Sequence, residues 1–212
     1  MTGPDVQLAQ QTRAAAFRLL LETGRPVSPV EIAAELNAAP SVVVAELGRL
    51  DAAGRIRLSA HGFVVGSAGL SVAPAAHDLW PGSRRFWTWC AYDIVGIVGT
   101  LEADARSLSR SPASGLEIEL RFAAGRAPAG LVVLFLPDDG GSVRTVDDWC
   151  ANANFFEDRE AALLVGRAQA TRRGHRPRRG SAPGLGAVES PAFGQSWNQI
   201  QGEPWRQRLT RL

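Results

Sequence analysis

The sequence has no lysine: all 23 of its basic residues are arginine, set against 21 acidic residues. Six of those arginines (Arg167, Arg172, Arg173, Arg176, Arg178 and Arg179) fall in one short stretch. The other 17 face all 21 acids, so most of the chain is mildly acidic and offers no general nucleic-acid-binding surface. Cysteine is scarce as well. The two present, Cys90 and Cys150, are too far apart for a CxxC redox motif or a zinc knuckle. Long apolar runs are missing. Trp87–Leu101 is broken by Asp93, Gly96 and Gly99, and Gly130–Leu136 is short, against the ~18–20 residues needed to cross a bilayer. The first 17 residues lack a basic region followed by an apolar stretch, so no signal peptide is expected. A cytoplasmic location follows, with both cysteines as thiols.

What is present suffices for a core: 212 residues, 45% of them apolar. Gln11–Glu22 carries Ala14, Phe17, Leu20 and Leu21 at helical spacing and stops at Gly24. Ser28-Pro29-Val30-Glu31 is a capping-box start: the serine accepts from the first turn, the glutamate reaches back, and proline takes the first helical position. That helix ends near Asn37. A third begins at Ser41, places Val43, Val44, Leu47 and Leu50 on one side, and stops at Ala53-Gly54. Two alternating runs, Arg55–Ser59 and Phe63–Gly66, flank Ala-His-Gly as a hairpin. Three helices and a hairpin over residues 1–70 form a winged-helix-like pattern. Between Ser28 and Ala53, however, Glu31, Glu35, Glu46 and Asp51 outweigh Arg49, and such a surface repels phosphates. The segment is read as a packing domain rather than a DNA reader.

Residues 71–84, with Pro74, Pro81 and Gly82, read as a linker, and 85–212 as a second domain. In that domain, Arg85 to Gly99 is expected to be a buried helix. Gly115–Phe122 alternates as a half-buried strand, with Leu116, Ile118, Leu120 and Phe122 on one face. Gly130–Leu136 is a central strand, Val143–Ala151 is ambiguous between strand and loop, and Asn154 to about Ala170 is a helix. Residues 172–186, rich in Arg, Gly and Pro, read as a mobile loop, followed by a tail with Phe193, Trp197, Ile200 and Trp205. The fold class expected is α+β, with a mixed or antiparallel sheet and flanking helices.

Cys90 and Asp93 are three residues apart, one face of a helix. A carboxylate raises the pKa of a neighbouring thiol, so the pair is poor at making a standing thiolate. It is suited to sharing one proton, which Asp93 can take from sulfur and return. Cys150 lies between Trp149 and Asn152, Asn154, Phe155 and Phe156. Two readings stand side by side: both cysteines are small buried apolar residues, or they converge on one thiophilic, low-coordinate metal ion.

Trp89-Cys90-Ala91-Tyr92-Asp93, then Cys150 and Asn154-Phe155-Phe156, resembles the organomercurial (alkylmercury) lyase family. The resemblance runs from about Pro26 to Phe156, with a faint return at Ala192-Phe193-Gly194-Gln195 and Trp197-Asn198. It implies a lyase domain in which Cys90 and Cys150 hold mercury and Asp93 manages the proton. The reaction implied is protonolysis of a carbon–mercury bond to a hydrocarbon and Hg(II), the metal resting on Cys90, Cys150 and Asp93. Phe86, Trp87, Trp89, Phe155 and Phe156 would exclude water. No organic cofactor is implied. External thiols would accept the Hg(II), or a mercuric reductase would take it. The chain is expected to act as a monomer or weak dimer, without nucleic acid or membrane. Two alternatives stay open: a winged-helix, thiol-based heavy-metal-sensing regulator, and a family member recruited to another lyase reaction.

Other titratable residues have no visible point of convergence. His61 falls at the hairpin turn, His77 in the linker and His175 in the arginine-rich loop. Asp138-Asp139 reads as a turn, Asp147-Asp148 as a solvated pair, and Glu117 and Glu119 as the outer face of a strand.

Overall fold

A computed structural model describes residues 4–127, 133–135, 150–172 and 185–187. The chain opens with three helices, α1 (Pro4–Thr23), α2 (Pro29–Leu36) and α3 (Pro40–Ala52). The capping box of α2 forms as its sequence dictates. Glu31 N–H donates to Ser28 Oγ at 3.3 Å, and Ser28 N–H donates to Glu31 Oε2 at 2.8 Å. Asn37 ends the helix in the left-handed region. Phe17 and Leu20 of α1, Ile32 of α2, and Val43, Leu47 and Leu50 of α3 are buried against one another. Full burial of each large side chain contributes on the order of 1.5–3 kcal/mol.

The hairpin follows as β1 (Ile56–Leu58) and β2 (Val64–Ser67). It does not stand apart: with β3 (Leu70–Ser71), β4 (His77–Pro81), β5 (Phe86–Thr88), β6 (Ala105–Arg110) and β7 (Glu117–Phe122) it makes one seven-stranded sheet, order β1-β2-β3-β5-β4-β6-β7. All its neighbouring strands are antiparallel. Ile118, Leu120 and Phe122 of β7 point inward, in the expected alternation. Helix α4 (Ala91–Leu101) packs on this sheet through Ile94, Ile97 and Val98, in the same core cluster as α1–α3. A three-stranded antiparallel sheet, order β10-β8-β9, is built from β8 (Val133–Phe135), β9 (Asn154–Phe156) and β10 (Leu185–Ala187), with α5 (Arg159–Arg172) beside it.

Four expectations change. The stretch 71–84 contains β4, which lies between β5 and β6 in the sheet. Its inward residues, His77 and Leu79, alternate over too few positions to stand out between the flanking prolines. Arg85 to Gly99 is a strand and then a helix, because Phe86 and Thr88 alternate inward before Cys90 caps α4. Asn154–Phe156 is strand β9, and the helix begins only at Arg159, where Asp158 Oδ1 accepts from Ala161 N–H at 2.8 Å. Within the expected loop 172–186, Leu185–Ala187 supplies β10. Residues 143–149, most of that loop and the aromatic tail lie outside the described residues, as does the return at 192–198. Among the described residues, no helix is long and apolar enough to cross a membrane.

Candidate active site

The site starts from the way α4 begins. Cys90 is extended (φ −150, ψ 168) and forms the N-cap, with Asp93 at the third helical position. The spacing that places both on one helix face also makes them the two ends of a capping box. Asp93 Oδ2 accepts from Cys90 N–H at 3.1 Å and from Cys90 Sγ at 3.1 Å. Thr88 Oγ1 donates to the Cys90 carbonyl at 3.1 Å, tying the end of β5 to the cap.

Cys150 opens a single 3₁₀ turn, Cys150–Asn152, just before β9. Ala91 N–H, in the first turn of α4, donates to the carbonyl of Ala153 at 3.0 Å, and Ala153 N–H donates to the carbonyl of Cys150 at 3.1 Å. These backbone bonds bring the second cysteine to the helix that carries the first. Cys150 Sγ lies 3.9 Å from Asp93 Oδ2. The two sulfurs and a carboxylate oxygen all lie within 4.8 Å of one another. The reading of both cysteines as separate core residues therefore gives way to a cluster. Cys90 is fully buried, whereas Cys150 is half-buried.

Burial sets the electrostatics. It pushes the Cys90 thiol well above its ordinary range, and the neighbouring Cys150 and Asp93 push the same way. Burial also raises Asp93, to about 6, against the opposing effect of its hydrogen bonds from Cys90. At neutral pH the arrangement is a protonated sulfur donating to a carboxylate that can accept its proton.

Several residues support this cluster. Gly69, between β2 and β3, has φ +86 and lies directly against Asp93: a Cβ there would sit 2.3 Å from Asp93 Cγ. Its carbonyl accepts from Trp89 N–H at 3.1 Å. Trp89 covers Gly66, where a Cβ would meet its Cζ2 at 2.9 Å, and the Arg57 guanidinium lies 5.9 Å from its ring centre. Phe86 and Phe155 are in the main core, whereas Phe156 is in a separate small cluster with Ala162, and Trp87 lies under Arg85 at 4.9 Å. The aromatic residues thus do not form one wall around the sulfurs.

His77, expected in a linker, is buried on β4. Its Nδ1 is 2.8 Å from Ser109 Oγ, and its ring meets Phe155 edge-on at 6.5 Å. Burial lowers it to about 4, which keeps it neutral. His61 is at the hairpin turn, as expected. Glu117 and Glu119 pair with Arg110 and Arg121 on the exposed face of β7. His175, Asp138, Asp139, Asp147, Asp148 and Trp149 lie outside the described residues. Sequence reasoning passes over Gly69, because nothing in the run Ser67-Ala68-Gly69-Leu70 marks that glycine.

The fold and the cluster define an α+β protein with a buried thiol–carboxylate–thiol site. The family model for alkylmercury lyase (MerB) matches residues 70–172, a segment that contains Cys90, Asp93 and Cys150. This is the family its sequence elements resemble, and over that segment the resemblance holds. A solved structure described as the mercury-bound form of MerB2 superposes with a TM-score of 0.71, covering 90% of this chain and 91% of that one at 17% sequence identity. At that identity the likeness speaks for the fold. Among curated proteins there is no match.

Proposed function

We propose that this protein is an organomercurial lyase that cleaves carbon–mercury bonds by protonolysis, with Cys90, Asp93 and Cys150 as its reacting groups. The observation that carries the reading is the convergence of two sulfurs and one carboxylate oxygen within 4.8 Å, from segments 57 and 60 residues apart. A binding site needs only the sulfurs. The carboxylate hydrogen-bonded to one thiol supplies what cleavage additionally requires, a place for the proton.

The chemistry follows from the settings of the groups. Cys150, the more exposed sulfur, takes the organomercury cation from its carrier thiol and gives a neutral R–Hg–S adduct. Cys90 arrives as a thiol, because burial disfavours its thiolate. As Asp93 accepts the Cys90 proton, the sulfur's electron pair goes to mercury and makes it three-coordinate. Electron density on carbon rises. The proton then passes from Asp93 to that carbon, the carbon–mercury pair becomes the new C–H bond, and Hg(II) remains on two thiolates. Asp93 ends ionised, as it began. The sum converts a carrier-bound R–Hg thiolate and the two cysteine thiols into a hydrocarbon, a dithiolate-bound Hg(II) and the free carrier thiol, which leaves with the Cys150 proton. A free carbanion never forms, and none of these steps calls for an organic cofactor. External thiols would remove the metal, with a mercuric reductase as a further acceptor, and the setting proposed is cytoplasmic. The N-terminal helices and hairpin serve, on this reading, as a winged-helix-like scaffold that packs against the site.

The test is headspace analysis of the protein with phenylmercury or methylmercury in excess thiol, beside Cys90→Ser, Asp93→Ala and Cys150→Ser. Benzene or methane from the native protein, absent from all three variants, is the expected result. Mercury bound through both cysteines with no hydrocarbon released would overturn the lyase reading and leave a metal sensor or a family member recruited to another reaction.

A further inference from the structure

His77 is a buried titratable group that the proposed reaction does not use. It stands on the inner face of β4, between β5 and β6. Its cross-strand partner on β5 is Thr88, whose Oγ1 donates to the Cys90 carbonyl. Toward β6, its Nδ1 lies 2.8 Å from Ser109 Oγ. Its Nε2 is buried and meets no hydrogen-bond partner among the described residues, so the rest of the ring is a packing surface. Against that surface rests Phe155 of β9, the two rings meeting edge-on with centroids 6.5 Å apart and planes at 78°. Phe155 is tied in turn to Cys150. Ala153 N–H donates to the Cys150 carbonyl at 3.1 Å, and Asn154 Nδ2 donates to the Ala151 carbonyl at 3.2 Å, which binds the Cys150–Asn152 turn to the start of β9. His77 therefore sits between the strand that leads into Cys90 and the strand that leads out of Cys150.

We propose that His77 is a positioning residue of this site: its ring seats Phe155 and thereby holds Cys150 facing Cys90. The catalytic consequence rests on the lyase reading, but the placement of the sulfurs does not. The backbone bond from Ala91 to Ala153 joins the two segments at one point, and a single point leaves the Cys150 turn free to pivot. The ring contact, two residues further along β9, is a second point and fixes the orientation. A misplacement of about 1 Å at a reacting group can cost about 10²-fold in rate. Histidine suits the place because its hydrogen bond to Ser109 fixes the ring, whereas an aliphatic side chain would leave that buried hydroxyl unpaired. Burial keeps the imidazole neutral, so it brings no charge to the core beneath the thiols.

Two substitutions separate the ring from its hydrogen bond. His77→Phe keeps a ring for Phe155 and gives up Ser109, while His77→Asn keeps an amide for Ser109 and gives up the ring. The readout, independent of turnover, is retention of Hg(II), added as the chloride to the full chain, against competing dithiothreitol. Only a chelate of both sulfurs competes with a dithiol, and Cys150→Ser supplies the baseline. Retention should fall about tenfold or more in His77→Asn and stay within about threefold of native in His77→Phe, even if the latter melts lower. Phe155→Leu, which leaves His77 and Ser109 in place, should reproduce the loss. In the lyase assay, His77→Asn should lower kcat about tenfold and change KM less than about threefold, because capture needs Cys150 alone. Retention that is unchanged in His77→Asn and Phe155→Leu, lost equally in His77→Phe, or proportional to melting temperature across the three variants overturns the proposal. So does a native protein that retains no more than Cys150→Ser. The expected pattern of retention without hydrocarbon release by the native protein would keep His77 in its role while the lyase reading fails.

Discussion

Two helices of this protein begin with the same device in different surroundings. At α2, Glu31 Oε2 accepts from the Ser28 backbone N–H at 2.8 Å and from its hydroxyl at 2.8 Å. At α4, Asp93 Oδ2 accepts from the Cys90 backbone N–H at 3.1 Å and from its thiol at 3.1 Å. Each pairs an N-cap with an acid three residues on, at the positive end of a helix. Glu31 is near the surface with Arg25 beside it, and those hydrogen bonds hold it down at about 2. Asp93 is sealed from water, and burial lifts it to about 6. One local motif thus yields a permanent anion in one place and a proton acceptor in the other. Desolvation, rather than hydrogen-bond pattern, sets the two acids apart.

The comparison breaks hardest if the acid of each box loses its charge. Asp93→Asn keeps an oxygen to accept from the Cys90 N–H but cannot take the thiol proton. Hydrocarbon release should drop by about 10²–10⁴, the usual contribution of a positioned acid–base group. Glu31→Gln, the same change at the exposed box, should leave turnover unaltered. Single-turnover benzene release from phenylmercury measures both. If Asp93→Asn keeps its rate while Glu31→Gln loses it, the distinction between the boxes is wrong.

A smaller effect is expected from the residue that seals the buried box. Gly69→Ala would require a Cβ at positive φ, 2.3 Å from Asp93 Cγ. Either the turn or the carboxylate must move, and the strain should cost on the order of 1–3 kcal/mol. Thermal unfolding would register the loss. Displacement of Asp93 would also lower kcat more than it changes KM, whereas a change confined to melting would show that the carboxylate keeps its place.

The two acids also respond to pH with opposite signs. Asp93 holds its proton to a higher pH when folded than when unfolded. Its contribution to stability is present below about 4 and is lost as pH rises through about 6. Glu31 is depressed, so its contribution is present above its ordinary range and fades as pH falls toward 2. Melting of the native protein relative to Glu31→Gln should therefore rise between pH 2 and about 4.5, whereas relative to Asp93→Asn it should fall between pH 4 and 6. Turnover should increase across the same interval as Asp93 ionises. A rate independent of pH there would remove Asp93 as acceptor.

How far the sequence disclosed these features depends on their range. Ser28-Pro29-Val30-Glu31 was fully legible, because a capping box involves only neighbours. The pairing of Cys90 with Asp93 was legible from spacing, although both were placed inside a helix rather than at its start. Phe86–Thr88 is too short a strand for its alternation to outweigh the helical spacing that follows. Strand β4 was hidden by Pro74, Pro81 and Gly82, which mark its flanks as loop even though His77 and Leu79 are buried. Cys150 could not be brought to Cys90 by any periodicity, since the link is one backbone bond from Ala91 to Ala153; the family resemblance supplied it. Gly69 bears on Asp93 from the β2–β3 turn, a tertiary contact invisible along the chain.

The smallest effect is expected where the motif does nothing but cap. Ser28→Ala removes the acceptor for the Glu31 N–H and one of the donors to its carboxylate. The loss should be about 1 kcal/mol, the usual value of an N-cap hydroxyl. Because Glu31 keeps the Ser28 backbone N–H and Arg25 as partners, the loss should not grow much beyond that. It should also shrink in acid, as the carboxylate that the hydroxyl helps to stabilise becomes protonated. Chemical denaturation at pH 7 and pH 3 measures the difference. An effect that grew on acidification would mean that Ser28 works through packing rather than through the charge it holds. A hydroxyl donates to an exposed carboxylate here much as a thiol donates to a buried one in α4, so this variant gives the energy of the device before burial adds its chemistry.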